Sequence, residues 1–351
     1  MELPKIPFYE KYSLIFKAIV AGGAMGLLYT AVSNAGADYQ YLKLLPGTII
    51  GISIGFIVII FEKTLTHLNN YSFLGSMILK ALIYSFCIIL FLLFFVIVFA
   101  EILGHLTYQE ALSKYINNRL FEDFIFSLGA SIFLILFLEI SSLLSNRFFS
   151  NYFTGRYHRP MQEERIFMFV DVKSSTTMAE ELGDILYSKL LQDLFNDFTD
   201  AILASRAEVY QYAGDEIILT WKTATGLKDQ RCLYCFYLLK QCIKNRNEYY
   251  LKTYNRIPKF KAGMHIGNAV TTWVGKVKKE IVYHGDLLNT TSRIQCKCND
   301  FNHDFVISEA IKEALPKDLP VTYLQQGEIL LRGKAQPMKL YTVDFNIDEI
   351  Y

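Results

Sequence analysis

Long uncharged runs fill residues 1–145 of this 351-residue chain, whereas apolar and polar positions interleave after them. Ala81 to Ala100 (ALIYSFCIILFLLFFVIVFA) is twenty residues without a charge. As a helix, that length crosses roughly 30 Å of bilayer hydrocarbon. Ser13–Val32 carries only Lys17, Leu44–Phe61 is a Gly-containing apolar run, and Phe124–Leu138 is followed by Glu139. Four such segments joined by short polar loops predict an N-terminal all-α transmembrane four-helix bundle in residues 1–145, with helices about 13–32, 44–61, 80–100 and 124–144. A helical soluble domain is the alternative. The mixed-charge opening MELPKIPFYEKY, with no small-residue cleavage pattern after the first span, predicts that this span is retained.

Flanking cations set the expected orientation. Lys5, Lys11, Lys63 and Lys80 fall on one side, joined by Arg147, Arg156 and Arg159, while Lys114 and Arg119 in the loop 101–123 are balanced by Glu110, Glu122 and Asp123. This bias predicts a multi-pass protein of the inner (plasma) membrane with both termini cytoplasmic and the lipid bilayer as a partner.

The second half reads differently. Residues 146–164 (NRFFSNYFTGRYHRPMQEE) are polar, aromatic and broken by Gly155 and Pro160, as a connector would be. Arg165–Val172 (RIFMFVDV) predicts a buried strand, SSTTMAEELG a capped helix start, and Tyr187–Ser205 an amphipathic helix. Tyr210–Trp221 (YQYAGDEIILTW) predicts a hairpin, followed by a long helix through Tyr254 and strands near Phe260–Ile266 and Glu280–His284. This is an α+β pattern around one sheet, spanning 165–345.

Overall, 52% of residues are hydrophobic and 20% charged, a combination that fits segregated membrane and soluble halves. A net charge of +1 with no basic stripe argues against nucleic acid as a partner. The six cysteines fit a reducing compartment, and Cys232 and Cys235 form a CxxC without a second pair or nearby His, which disfavours zinc.

The candidate chemistry begins at Asp171, a carboxylate ending a strand just before a helix start with the hydroxyls of Ser174, Ser175 and Thr176 and free backbone N–H groups. Such a place can hold a cation and a phosphate together. Asp215 sits at the hairpin turn; if the hairpin lies beside the first strand, the two carboxylates converge on one or two Mg²⁺ or Mn²⁺ ions. Glu216 is expected to matter less, since alternation directs it away from Asp215. Asn289 and Arg293, four apart in YHGDLLNTTSRIQ, share one helix face and suit a ribose and a phosphate gaining charge.

The segments FMFVDVKSSTT, YQYAGDEIILTW, FKAGMHIGNAVTTWVG, YHGDLLNTTSRIQ and LLRGKAQPMKLYTV resemble, in that order, the catalytic domain of class III nucleotidyl (adenylate/guanylate) cyclases of the membrane-bound bacterial type. The resemblance covers residues 163–345 and implies a ferredoxin-like α+β domain. It also implies conversion of ATP to 3′,5′-cyclic AMP and pyrophosphate, with two Mg²⁺ or Mn²⁺ ions per site. Asp171, Asp215 and the backbone of Val172 match the metal-binding positions, Asn289 the ribose-orienting one and Arg293 the transition-state-stabilising one. Arg332 or Lys334 matches the residue that holds the terminal phosphates, and the alignment leaves both open. Because the metal pair and the Asn/Arg pair meet across a head-to-tail interface in that family, the resemblance implies a homodimer with two sites.

Base identity is less defined. The positions where adenylate-forming members carry Lys and Asp or Thr hold Gln211 and Val282; Gln can donate and accept, whereas Val cannot hydrogen-bond. ATP is the expected triphosphate, with GTP or a pyrimidine triphosphate as alternatives. Two further readings are a catalytically silent receptor or scaffold and a diguanylate cyclase of the GGDEF type. The intact site residues argue against the first; Ala213 in place of a second Gly argues against the other.

Overall fold

A computed structural model of the chain describes residues 13–33, 51, 52, 55, 56, 73–103, 107–143 and 155–346, in two units that divide after Thr154. The first unit contains α1 (Ser13–Ser33), α2 (Phe73–Leu103), α3 (Tyr108–Asn118) and α4 (Leu120–Leu143). Among the described residues, Leu74–Phe94 and Leu120–Ile140 are long and apolar enough to cross a membrane, and Ile19–Tyr29 is a shorter apolar run. Ala81 and Tyr84 of α2 pack with Leu134, Ile135 and Leu138 of α4. The expected span at 44–61 lies almost wholly outside the described residues. The expected loop 101–123 holds α3 instead, because Thr107 and Glu110 form a reciprocal capping box that starts a helix there.

The second unit is built on β1 (Met161–Val172), whose run RIFMFVDV is apolar on both faces because both faces are covered. Ile166, Met168, Val170 and Val172 enter the main core with Leu190, Leu194, Trp221 and Phe236. Phe167 and Phe169 point the other way, into a smaller cluster with Tyr283 and Leu287. α5 (Ser175–Leu182), α6 (Asp184–Asp197) and α7 (Thr199–Ala204) lead to the hairpin of β2 (Glu208–Ala213) and β3 (Glu216–Lys222). α8 (Thr223–Leu227), α9 (Arg231–Asn245) and α10 (Asn247–Tyr254) lead to β4 (Phe260–Val274).

The neighbour order β2-β3-β1-β4, antiparallel throughout, is the ferredoxin-like arrangement that the resemblance implies. The sheet continues through β6 (Phe305–Ser308), β8 (Met338–Phe345) and β7 (Val321–Ile329), while β5 (Glu280–His284) pairs with β4. α11 (Asp286–Asp300) packs on β4 and β1, and α12 (Glu309–Ala314) follows β6.

Three expected boundaries move. β1 begins at Met161 inside the expected connector, because the long partner β4 pairs even its polar start, Met161 with Thr271. The expected helix 187–205 is two helices meeting at Phe198, and the expected long helix before Tyr254 is α8, α9 and α10. Cys232 and Cys235 are free thiols buried in α9, both pushed up to about 12 by desolvation.

Gly263 fixes how close α11 approaches the sheet. A Cβ there would stand 2.5 Å from the Cα of Gln295 and nearer still to its backbone N. The obstruction is helix backbone, which cannot rotate aside. Gly263→Ala is therefore expected to push α11 off β4 at a cost of about 1–3 kcal/mol, read as a lower thermal midpoint of the purified protein. An unchanged midpoint would contradict this packing.

Candidate active site

Antiparallel register brings the acidic residues together. Asp171, at the end of β1, stands opposite Glu216 on β3 and Lys261 on β4. Gly214, at φ +66°, opens the two-residue turn that carries Asp215, and the N–H of Val172 donates to the Asp215 carbonyl at 3.3 Å. Asp171 Oδ2 accepts from Gln295 Nε2 at 2.9 Å and pairs with Lys261 Nζ at 3.1 Å.

Electrostatics follow from that crowding. Burial raises the Asp171 carboxyl and the charge of Asp215 adds to the rise, against Lys261 and the Gln295 amide, which lower it. Glu216 is pushed up to about 7 by burial and by the charges of Asp171 and Asp215. The expectation that Glu216 stands apart is thus corrected. Residues directly opposite in an antiparallel pair share a face, so Glu216 joins Asp171 rather than leaving the cluster. Tyr187 on α6 is raised by burial and by the charge of Asp215, against the neighbouring Ser175, which lowers it.

This donor set fits a hard divalent cation. Carboxylate oxygens hold the negative charge, and among the described residues Lys261 is the cation paired with Asp171. No group of three His, Cys, Asp or Glu residues forms a complete metal cage among the described residues. Mg²⁺ does not need one, since it is typically held by one or two carboxylates plus substrate phosphates. Ser174 adopts φ +56° at the head of α5, with Ser175 and Thr176 in its first turn beside the strand end.

The second group lies along α11. Gly285, at φ +132°, turns the chain from β5 into the helix, and the exposed Asn289 and half-buried Arg293 follow. The Arg293 guanidinium lies against Gly333, where a Cβ would be 3.3 Å from Nη2. Lys334 Nζ pairs with Asp286, whose carboxylate also accepts from Thr290 at 2.9 Å. Arg332 is exposed and makes no ion pair among the described residues. Neither Asn289 nor Arg293 hydrogen-bonds to the carboxylate cluster among those residues. Gln211 on β2 is exposed and Val282 on β5 half-buried; their neighbours Tyr210 and Tyr283 meet edge-on, with centroids 5.1 Å apart.

The family profile described as "Adenylate and Guanylate cyclase catalytic domain" matches residues 158–344, just over half of the chain. The chain belongs to that family. It is 31% identical over 201 residues to "Adenylate cyclase 2" of Rhizobium meliloti (strain 1021), covering 57% of this chain and 55% of the relative. Identity to "Adenylate cyclase 1" of the same organism is 24% over 199 residues, covering 55% of this chain and 29% of that protein. The chain therefore spans about half, or less, of the curated relatives it matches. A solved bacterial light-regulated adenylyl cyclase shares the fold of the cyclase domain at a TM-score of 0.54 and 17% identity, covering 63% of this chain and 64% of that one.

Sequence reasoning did not single out Lys261, Gln295 or His265. Each becomes visible only through strand register or helix packing. His265 on β4 is half-buried, with Nδ1 2.8 Å from Ser308 Oγ and the Lys334 and Asp286 charges nearby. Burial, then Lys334, lower it to about 4, so it is neutral in the folded cyclase domain.

Because the folded value lies below the ordinary 6.5, the stabilisation is full above that pH. It is lost as pH falls through 6.5 towards 4. Between pH 7 and 4 the parent is expected to lose on the order of 3 kcal/mol more than His265→Gln in chemical unfolding. Parallel pH profiles of the two proteins would contradict a neutral imidazole at this position.

Proposed function

We propose that this chain is a membrane-bound adenylate cyclase that converts ATP to 3′,5′-cyclic AMP and pyrophosphate at sites shared by two copies. The observation that carries this reading is the convergence of Asp171 and Asp215 at the strand end beside the N-terminus of α5. Asp171, Asp215 and the backbone of Val172 would hold two Mg²⁺ or Mn²⁺ ions, which supply charge neutralisation of the triphosphate and activation of the ribose 3′-hydroxyl. The backbone N–H groups around Ser174, Ser175 and Thr176, at the head of α5, would serve the phosphates.

In the reaction, the 3′-oxygen attacks the α-phosphorus, the bond from that phosphorus to the bridging oxygen breaks, and pyrophosphate leaves while the hydroxyl proton passes to solvent. Asn289 orients the ribose and Arg293 offsets charge gathering on the α-phosphoryl oxygens. Lys334 rather than Arg332 is assigned to the terminal phosphates, because its ammonium already lies at the head of α11. Lys261, paired with Asp171, adds positive charge beside the carboxylates.

The exposed Val270, Val274 and Val277 of the β4–β5 hairpin offer an apolar arm to a second copy. Asn289 and Arg293 of one copy would then complete the carboxylates of the other.

ATP is favoured by the relative named "Adenylate cyclase 2". GTP is the second reading, favoured by Val282, which offers no hydrogen bond to an adenine edge. For the membrane half, Leu82, Phe86, Leu90, Phe94, Phe133 and Phe137 are exposed while Ser85, Ser127 and Ser131 are buried. That inside-out distribution suits lipid. Multi-pass insertion in the plasma membrane with cytoplasmic termini is the topology proposed, on the strength of the flanking cations.

The purified full-length protein with Mn²⁺ is expected to turn ATP into cyclic AMP and pyrophosphate faster than it cyclises GTP, CTP or UTP. Asp171→Asn and Asp215→Asn are each expected to lower turnover by at least about 100-fold without lowering the thermal midpoint. No cyclic product from any of the four triphosphates, or full activity in either variant, would overturn the proposal.

A further inference from the structure

Gln295 stands two residues beyond Arg293 on α11 and is only 4% exposed, yet it carries an amide into the protein. Its Nε2 donates to Asp171 Oδ2 at 2.9 Å. The same oxygen meets Lys261 Nζ at 3.1 Å, and Lys261 is held in turn by Asn299 Oδ1 at 3.1 Å, one helical turn further along α11. Both donors fall on Oδ2, and among the described residues none falls on Oδ1.

The backbone beneath this amide cannot shift towards the sheet, since Gly263 lies directly under it. A leucine or methionine of similar volume would satisfy the packing of a buried helix position. An amide buried here has a directional task, because its hydrogen-bonding groups would otherwise be left without partners at a cost of roughly 1–3 kcal/mol.

We propose that Gln295 is a positioning residue for the metal ligand Asp171: together with Lys261 it pins Oδ2, so that Oδ1 is the oxygen presented to the cation. The proposal rests on the reading of Asp171 as a metal ligand given above. A carboxylate attached only through its own side-chain torsions would rotate between orientations, and a fixed one binds a cation without first losing that freedom. Partners that orient a ligating carboxylate typically contribute about 10- to 100-fold to metal affinity.

The test is Mn²⁺ binding to the full-length protein, read by the electron paramagnetic resonance signal of free Mn²⁺, without nucleotide or turnover. Gln295→Met keeps the volume and removes the donor. It is expected to raise the Mn²⁺ Kd about tenfold. At saturating Mn²⁺ its kcat and its KM for ATP are expected to stay within about twofold of the parent.

A packing role predicts another pattern. Disturbing α11 would displace Asn289 and Arg293 and lower kcat at every Mn²⁺ concentration while leaving the Kd unmoved, which would overturn the proposal. Should Gln295→Met unfold, as judged by its thermal midpoint without metal, Gln295→Leu carries the same test.

Asp171→Asn separates this proposal from the one beneath it. If it leaves Mn²⁺ binding unchanged, the metal site is misassigned. If it weakens binding while the Gln295 variants do not, only the positioning role fails.

Discussion

Three carboxylates, those of Asp171, Asp215 and Glu216, gather where β1 ends and the β2–β3 hairpin turns, and the ammonium of Lys261 is set against them. Like charges at close range in a half-buried site oppose one another, which is why burial and mutual repulsion raise Asp171 and Glu216 together. The fold holds them there because the register of β1 with β3 and β4 is fixed by apolar side chains on both faces of β1. A slip of one residue would bury Asp171 among Val170's neighbours in the main core. The excess negative charge is thus set by the packing of the sheet, and in the proposed function a divalent cation carrying phosphates would relieve it.

The helix α11 works at both ends of this arrangement. Its first half carries Asn289 and Arg293, and its second half reaches back through Gln295 and Asn299 to Asp171 and Lys261. In a head-to-tail pair of chains those halves serve different sites. In the proposed dimer one rigid element, seated on Gly263, would therefore set the distance between the carboxylates of one site and the Asn/Arg pair of the other. Misplacing reacting groups by about 1 Å can cost on the order of 100-fold in rate, so the close contact at Gly263 bears on chemistry as well as stability.

Much of this was legible in the chain. RIFMFVDV reads as a two-sided buried strand, YQYAGDEIILTW as a hairpin, and the four-residue spacing of Asn289 and Arg293 as one helix face, because each depends on local periodicity. The polar start of β1, the far half of β4 and the strands after residue 300 were not legible, since long-range pairing rather than local pattern makes them strands. Glu216 was misread for a related reason: alternation describes one strand, whereas its neighbourhood is decided by Asp171 on another. Lys261 and Gln295 lie in segments that look like ordinary strand and helix, and only the packing of α11 across β1 and β4 brings them to Asp171.

In the proposed dimer each site takes its carboxylates from one chain and its Asn/Arg pair from another. The most direct measurement is complementation between two inactive full-length variants, Asp215→Ala and Arg293→Ala, co-expressed and purified as a mixed dimer through two different tags. A mixed dimer has one site that keeps every residue, so cyclic AMP formation is expected to return towards half that of the parent while each variant alone stays inactive. Mixed dimers that form and remain inactive would contradict the shared site.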